Sequence, residues 1–129
     1  KFKQRFKQFQ YLFEYLQASS ALNEIIIGDV NTLGFFGNAA QIKKIQVLLG
    51  PDFINFFPQF TLTTSHHQQL DHVFARNFKM RKAEVLQVLG SDHYPLVVEM
   101  DFVPGSKPSV SVEDPLNQSI NRQDNKDRN

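Results

Sequence analysis

Apolar residues recur every three or four positions in two stretches of the chain, and this spacing is typical of amphipathic helices. The first stripe comprises Phe2, Phe6, Phe9, Phe13 and Leu16. The second comprises Ile42, Ile45 and Leu49, and it ends at a Gly-Pro pair that stops a helix. Lysine and arginine between the apolar positions of the first stripe favour a solvated helix face over a phosphate- or membrane-binding one. The pattern therefore predicts two helices.

Shorter apolar runs predict strands. They occupy residues 24–27, 69–76, 84–89 and 96–103. The first run contains three consecutive isoleucines before a Gly-Asp pair, which predicts a strand buried on both faces. The second alternates, so that Asp71 shares a face with Val73 and His72 lies on the opposite face. Polar Glu99 and Asp101 alternate with apolar residues in the last run, as in a half-buried antiparallel strand.

Length and composition predict one folded domain and a tail. The chain has 129 residues, of which 41% are hydrophobic and 13 are phenylalanine, enough for a real core. We assign residues 1–103 to the domain. Residues 104–129 are rich in Ser, Pro, Asn, Asp and Lys, and we expect them to form a disordered tail. The aromatic segment 53–60 favours packing onto the core over a base-stacking or lipid-facing surface.

Charge and cysteine content narrow the function classes. The net charge is +1, from 14 basic and 13 acidic residues, so no global electrostatic attraction to nucleic acid or membrane follows. The absence of cysteine excludes a disulfide framework, a thiolate metal site and a thiol nucleophile. No apolar run is long enough to span a bilayer. The chain starts at Lys1 inside a helical pattern, so we expect a trimmed start; the compartment stays undecided, with the cytoplasm slightly favoured.

Three aspartates, Asp29, Asp71 and Asp92, each lie in or beside a predicted strand, and two have Asn31 and His93 close by in sequence. Locally, an Asp and an Asn after a strand also fit a simple turn that hydrogen-bonds its own backbone. If the strands are neighbours, however, the carboxylates converge and repel one another unless a cation lies among them. Oxygen ligands without thiolates favour Mg²⁺, Mn²⁺ or Ca²⁺ over zinc.

Such a cation fits the cleavage of phosphoesters, because it neutralises charge that develops on phosphoryl oxygens. A histidine oriented and kept protonated by a carboxylate can donate to a phosphate oxygen, and His93 is the candidate. The amide of Asn31 suits a neutral contact to phosphate or water. These residue types point to metal-assisted phosphoester hydrolysis.

Three motifs in order give the chain a family resemblance. Residues 28–32 read Gly-Asp-Val-Asn-Thr, residues 69–74 read Gln-Leu-Asp-His-Val-Phe, and residues 90–96 read Gly-Ser-Asp-His-Tyr-Pro-Leu. This series resembles the second half of the endonuclease/exonuclease/phosphatase superfamily, the deoxyribonuclease I-like proteins. The resemblance covers about residues 2–102. Val30 departs from the Phe or other large apolar residue that is usual there in the family, which affects packing more than chemistry.

The resemblance implies a role for each matching residue. Asp29 would act as general base or orient the attacking water, and would contact the metal. Asn31 would hold the scissile phosphate and the nucleophile. Asp71 would keep His93 protonated, and His93 would donate to a phosphate oxygen. Asp92 would bind Mg²⁺ or Mn²⁺ directly or through water, and attack would be in line without a covalent intermediate. His66 and His67 match no catalytic position, and neither does His72.

The implied fold is α+β, half of a four-layer α-β-β-α sandwich with mostly antiparallel sheets and flanking helices. In the family the first half supplies an Asn, a Glu metal ligand and a further His, so we expect that half in the same or another chain, and this chain alone to be a poor catalyst. The substrate class stays open among DNA, RNA, inositol phosphates and phospholipids, with a nuclease-type phosphodiesterase preferred by analogy. A non-catalytic binding or scaffold module of the same fold is the alternative.

Overall fold

A computed structural model describes residues 2–32, 38–58 and 60–105. Its elements, in chain order, are α1 (Phe2–Ala18), β1 (Glu24–Asp29), α2 (Asn38–Leu49), β2 (Phe53–Asn55), β3 (Asp71–Arg76), β4 (Phe78–Val85) and β5 (Leu96–Phe102). Both predicted helices are confirmed. Nearly all of the predicted tail, from residue 106 onward, lies outside the described residues.

The strands form two antiparallel sheets. The first has the order β1-β3-β2, and the second is the β4-β5 hairpin. With two helices and only antiparallel pairs among the described strands, the predicted α+β class with helices flanking a sheet is confirmed. The register of the first sheet places Glu24 opposite Arg76 at one end and Asp29 opposite Asp71 at the other. The two carboxylates therefore start from adjacent backbone positions.

One core lies between the first sheet and the two helices. Its buried members are Val30, Ile45, Leu49, Phe53 and Phe74, and Phe9, Phe13, Leu16 and Ile26 pack against it. Members of both helix stripes thus face the same sheet surface. α2 ends before Gly50, whose φ of +86° is a left-handed conformation that glycine adopts without strain. The Gly50 N–H donates to the Gln46 carbonyl at 3.0 Å and closes the last turn.

A second core lies on the other face of the first sheet, against the β4-β5 hairpin. Its buried members are Phe56, Phe57, Val73 and Ala75, and hairpin residues such as Val85, Leu96 and Val98 pack against it. Three of the phenylalanines in segment 53–60 are at most 3% exposed, which confirms their predicted role in packing, whereas Phe60 is 69% exposed. Side chains on the two faces of β3 therefore contribute to two different cores.

The prediction that the isoleucine strand is buried on both faces is wrong. Ile26 packs on the helix side, but Ile25 is 43% exposed and Ile27 is 67% exposed. β1 is an edge strand of its sheet, and the second core, which the hairpin covers, is built on Val73 and Ala75 of β3. Consecutive isoleucines indicate a preference for strand structure. They do not indicate how many neighbouring elements cover that strand.

The predicted strand 84–89 is also wrong in its bounds. The strand begins at Phe78 and ends at Val85, while Val88 is exposed and Leu89 is fully exposed. Residues 79–82 of β4 are exposed, three of these four are charged, and a bulge between Met80 and Lys82 interrupts the pairing with β5. The exposed residues and the bulge both obscure the alternation of apolar and polar residues from which a strand is predicted. Neither described helix has the length and apolar character that crossing a membrane requires.

Candidate functional site

The candidate site lies at one end of the β1-β3 pair, where β1 ends and β3 begins. Asp29, the last residue of β1, lies opposite Asp71, the first residue of β3. The segment after β4 adds His93. One side-chain donor atom from each of these three residues lies within 4.8 Å of the others. Of the residues that the sequence singled out, Asp29, Asp71 and His93 are therefore brought together.

A cleft of about 250 Å³ adjoins this cluster. Asp29 and Asp71 form its polar side, and Ile27, Tyr94 and Leu96 form its apolar side. The family motif assigns no catalytic role to Tyr94 or Leu96, and nothing else in the sequence selected them. The only signal in this segment was their neighbour His93.

Asp29 is fixed by a turn immediately after β1. Its Oδ1 accepts a hydrogen bond from the Asn31 N–H at 2.8 Å, and Asn31 has a φ of +52°, a left-handed conformation that Asn tolerates. The turn that the local pattern allowed as an alternative is therefore present. It uses one carboxylate oxygen and is compatible with the cluster, since the bond holds Asp29 in place. Asn31 lies beside Asp29 but does not line the cleft.

His93 is paired with Asp71, as the resemblance implies. Its Nδ1 lies 2.9 Å from Asp71 Oδ2, and the two side chains are 36% and 18% exposed. The hydrogen bond to Asp71 raises the pKa of His93 above its ordinary value, and the negative charges of Asp71, Asp29 and Asp92 act in the same direction. Partial desolvation opposes this rise and is outweighed. The imidazolium form is thus favoured, with Nε2 left to donate to a ligand.

We predict that the ring protons of His93 titrate above pH 6.5 in chelator-treated protein, and that Asp71→Asn moves the midpoint back towards 6.5. A raised pKa means that the pair stabilises the fold fully below pH 6.5, and that this stabilisation disappears as pH rises through the higher midpoint. Two-dimensional NMR of the histidine rings measures both midpoints. An unchanged His93 midpoint in Asp71→Asn would mean that Asp71 is not the partner that holds the proton.

The loop 61–65 positions both Asp71 and His93, a role that the sequence did not reveal. Thr63 Oγ1 accepts the N–H groups of Leu70 and Asp71 at 2.9 and 3.2 Å. The Thr63 carbonyl accepts the N–H of Tyr94 at 2.8 Å, and Thr64 forms a β-bridge with His93. One buried threonine therefore connects the start of β3 to the segment that carries His93. The sequence showed that the loop is polar and β-prone, but it did not show which backbone groups the loop would bind.

His72 lies on the opposite face of β3 from Asp71, as predicted, and is buried. Thr32 Oγ1 donates to the Gln69 carbonyl at 2.6 Å, so its oxygen accepts the Nε2–H of His72 at 3.1 Å. Nδ1 is buried and has no hydrogen-bond partner within the described ranges. Burial lowers the pKa of His72 to about 4, against the raising effect of Asp71 and Asp29. His72 is therefore a neutral structural residue at pH 7.

This burial predicts acid sensitivity. Since the unfolded chain binds a proton at His72 near pH 6.5 and the folded chain near pH 4, stability falls as pH drops through this window. The expected loss is about 3 kcal/mol by pH 4. The variant His72→Gln retains a donor for Thr32 but does not titrate. Urea unfolding at pH 7, 5.5 and 4 should show the wild type losing its advantage over His72→Gln; a constant difference would contradict the buried neutral ring.

Asp92 is not brought into the cluster. Its side chain is exposed, Ser91 Oγ donates to its Oδ1 at 3.4 Å, and its main-chain carbonyl accepts the Ser65 N–H at 2.8 Å. Its charge nevertheless contributes to the raised pKa of His93. The metal-ligand role of Asp92 stays a prediction. His66 and His67 are exposed loop residues, as predicted.

The donor set fits a hard divalent cation. Two carboxylates supply oxygen ligands, and thiolates are absent from the sequence. Because the Nδ1 of His93 is engaged with Asp71 and its protonated form is favoured, the histidine is the weakest ligand of the three. An oxygen-dominated set selects Mg²⁺ or Mn²⁺ over zinc. Asp29 and Asp71 would hold the ion, with His93 beside it as a donor.

Comparison with known proteins returns no relative of this chain. No protein-family model matches its sequence. No curated protein and no solved structure matches it either. Function is therefore inferred from the site itself.

Proposed function

We propose that this domain takes part in divalent-metal-dependent hydrolysis of phosphoesters, of the phosphodiesterase type. The observation that supports the proposal is the convergence of Asp29, Asp71 and His93, with donor atoms within 4.8 Å of one another at the end of two paired strands. Two anionic oxygen ligands at a cleft with apolar walls, and a histidine donor beside them, match what phosphoryl transfer requires.

Each residue of the cluster would have a separate role in this reaction. Asp29 has one oxygen in the turn to Asn31, and its carboxylate would orient or deprotonate the attacking water. Asp71 holds the His93 ring and favours its charged form. The Nε2–H of His93 would donate to a non-bridging phosphate oxygen, where negative charge develops. A bound Mg²⁺ or Mn²⁺ would supply neutralisation of phosphoryl charge and a more acidic water.

Asn31 and Asp92 have supporting roles in the proposal. The Asn31 amide, beside Asp29, would contact the scissile phosphate. Asp92 would bind the ion through water, in keeping with its exposed side chain and its electrostatic effect on His93. The preferred substrates are nucleic-acid phosphodiesters, by analogy with the family that the motifs resemble. Phospholipids and inositol phosphates are the alternatives within the same chemistry.

A scaffold role without catalysis is the second candidate, since Ile25 and Ile27 form an exposed apolar face on β1. A substrate panel separates the two. The complete protein is given DNA, RNA, inositol phosphates and sphingomyelin, with Mg²⁺ or with a chelator. The proposal expects chelator-sensitive hydrolysis of one class and loss of that activity in Asn31→Ala. Hydrolysis of none, or activity that survives the chelator, would refute it.

A further inference from the structure

A groove of about 810 Å³ lies between α1 and α2, on the solvent side of the helix layer. The side chains that line it come from residues 3–10 of α1 and residues 40–48 of α2, and none of them is a member of the core beneath the helices. The lining is apolar apart from Gln10 and four lysines, which are Lys3, Lys7, Lys43 and Lys44. The groove therefore combines an apolar lining with lysines from both helices.

The charge of this groove has one sign. All four of its charged residues are lysines, and Glu14 is the only acidic residue in the sequences of the two helices. The chain as a whole is nearly balanced, with 14 basic and 13 acidic residues, so the excess of positive charge is local. The lysines of α1 taken alone indicated a solvated helix face, but the structure adds the lysines of α2 on the other wall. Because like charges repel, this arrangement favours an anionic occupant.

Exposed aromatic and apolar side chains extend the groove into a wider surface. Tyr11 and Tyr15 follow Lys7 at intervals of four, so the three residues are neighbours along one side of α1. The two tyrosines are 71% and 73% exposed, and Val47 of α2, in the groove lining, is 73% exposed. Tyrosine has an apolar ring with a polar tip, a combination that is enriched where proteins meet the headgroup layer of a membrane. We call the groove together with Tyr11 and Tyr15 the helix surface.

The size and composition of the helix surface favour lipid over other anionic partners. Residues 3–10 rise about 10 Å along α1, so a partner helix in the groove would contact only about two turns, well short of the roughly 800 Å² per side of a stable protein interface. A nucleic acid would offer phosphates to the lysines, but it would leave Val47 and the apolar lining without an apolar partner. A bilayer offers anionic headgroups with hydrocarbon beneath them, which matches both parts of the surface.

We propose that the helix surface docks this domain onto membranes that contain anionic phospholipids. The lysines contact the anionic headgroups while their methylene stems lie along the apolar lining. Val47 and the rings of Tyr11 and Tyr15 enter the interfacial layer. The docking is peripheral and reversible, because each lysine near an anionic surface contributes only a modest attraction. The inference is independent of the proposed function, since no residue of the helix surface belongs to the carboxylate cluster.

Co-sedimentation of the unmodified chain with lipid vesicles tests the proposal. One set of vesicles consists of phosphatidylcholine alone, and the other contains phosphatidylserine as well. We expect binding to the phosphatidylserine vesicles to be tighter by about tenfold or more at low ionic strength, and to weaken strongly in about 0.5 M NaCl, which screens the lysines. Equal binding to the two sets of vesicles, or no binding to either, would overturn the proposal.

Two double variants with the same change in charge locate the binding. Lys7→Gln combined with Lys43→Gln removes one lysine from each helix, and glutamine forms helices as well as lysine does, so the fold is expected to persist. Binding to phosphatidylserine vesicles should weaken about 30-fold, from about fivefold for each lysine. Lys79→Gln combined with Lys82→Gln removes two exposed lysines of β4 and should bind as the wild type does. Equal losses in the two double variants would show attraction to the overall charge and refute docking through the helix surface.

A fluorescent reporter tests whether the aromatic row enters the lipid. The chain contains no tryptophan, so Tyr11→Trp introduces a single reporter at an exposed position. Its emission should move to shorter wavelength when phosphatidylserine vesicles are added, and a quencher attached to the lipid chains should reduce it. Binding that leaves the emission unchanged would refute entry of this row into the interface.

Two further measurements separate this surface from other sites and partners. His93→Ala should bind vesicles as tightly as the wild type, because His93 lies in the carboxylate cluster. A loss of vesicle binding in His93→Ala equal to the loss in the lysine variant of the helices would contradict docking through the helix surface. An oligonucleotide that binds the wild type but not this lysine variant, in a chain that binds no vesicle, would assign the surface to nucleic acid and refute the proposal.

Discussion

His93→Ala is expected to reduce metal-dependent phosphodiester hydrolysis by about 10²- to 10⁴-fold, the range for loss of one acid-base group or one preorganised donor. The reason is that the raised pKa of His93 favours the charged form of its ring, which is the stronger donor to a phosphate oxygen. Its side chain is 36% exposed, so the fold should tolerate the change. Initial rates of the complete protein at saturating Mg²⁺ give the result, and thermal unfolding of both proteins verifies the fold.

Asp101→Asn is the matched control for that measurement, because it removes an exposed carboxylate of β5 that has no place in the site. Its rate should equal that of the wild type. A His93→Ala protein that hydrolyses substrate as fast as Asp101→Asn would remove His93 from the mechanism. The activity should also decline at alkaline pH, as His93 loses its proton above pH 6.5.

Glu24→Gln is expected to destabilise the fold by about 3–5 kcal/mol, the usual effect of leaving one member of a buried ion pair unpaired. Glu24 and Arg76 lie opposite each other at the end of β1 and β3 away from the carboxylate cluster, at 8% and 6% exposure, and form a salt bridge. The Arg76 guanidinium also lies over the Phe53 ring, 5.2 Å from its centroid. Without the Glu24 carboxylate, the buried cation keeps the neutral glutamine amide and this ring contact as compensation.

Urea unfolding at pH 7 measures this loss, which is a large fraction of the stability of an ordinary domain. The exposed pair of Arg81 and Asp101, 3.4 Å apart, gives the comparison, and Asp101→Asn should cost no more than about 1 kcal/mol. Combining Glu24→Gln with Arg76→Met should recover part of the loss, because the unpaired charge is then gone. Equal effects of Glu24→Gln and Asp101→Asn would show that burial adds nothing to the inner pair.

Periodicity was enough to predict both helices and the face of β3 on which Asp71 lies. It failed for β1 and β4, where the outcome depends on which strands become neighbours. Ile25 and Ile27 are exposed because the hairpin covers β3, and nothing local to the isoleucines encodes that arrangement. Burial is a property of the assembled layers, whereas propensity is a property of the segment.

The same distinction applies to the candidate site. Motif residues identified Asp29, Asp71 and His93, which the structure brings together, but also Asp92, which it leaves outside the cluster. Thr63 could not be found this way, because its importance comes from backbone groups on two segments that are distant in sequence.

Binding of Mn²⁺ to the chain, followed by paramagnetic broadening of its NMR signals, tests the central claim most directly. We predict selective broadening of signals from Gly28, Asp29, Asp71 and His93, reversal by a chelator, and loss of the effect in Asp29→Asn combined with Asp71→Asn. Broadening that centres on other surface carboxylates, such as Glu84, Glu99 and Asp101, or that persists unchanged in the double variant, would contradict a metal site at the end of β1 and β3.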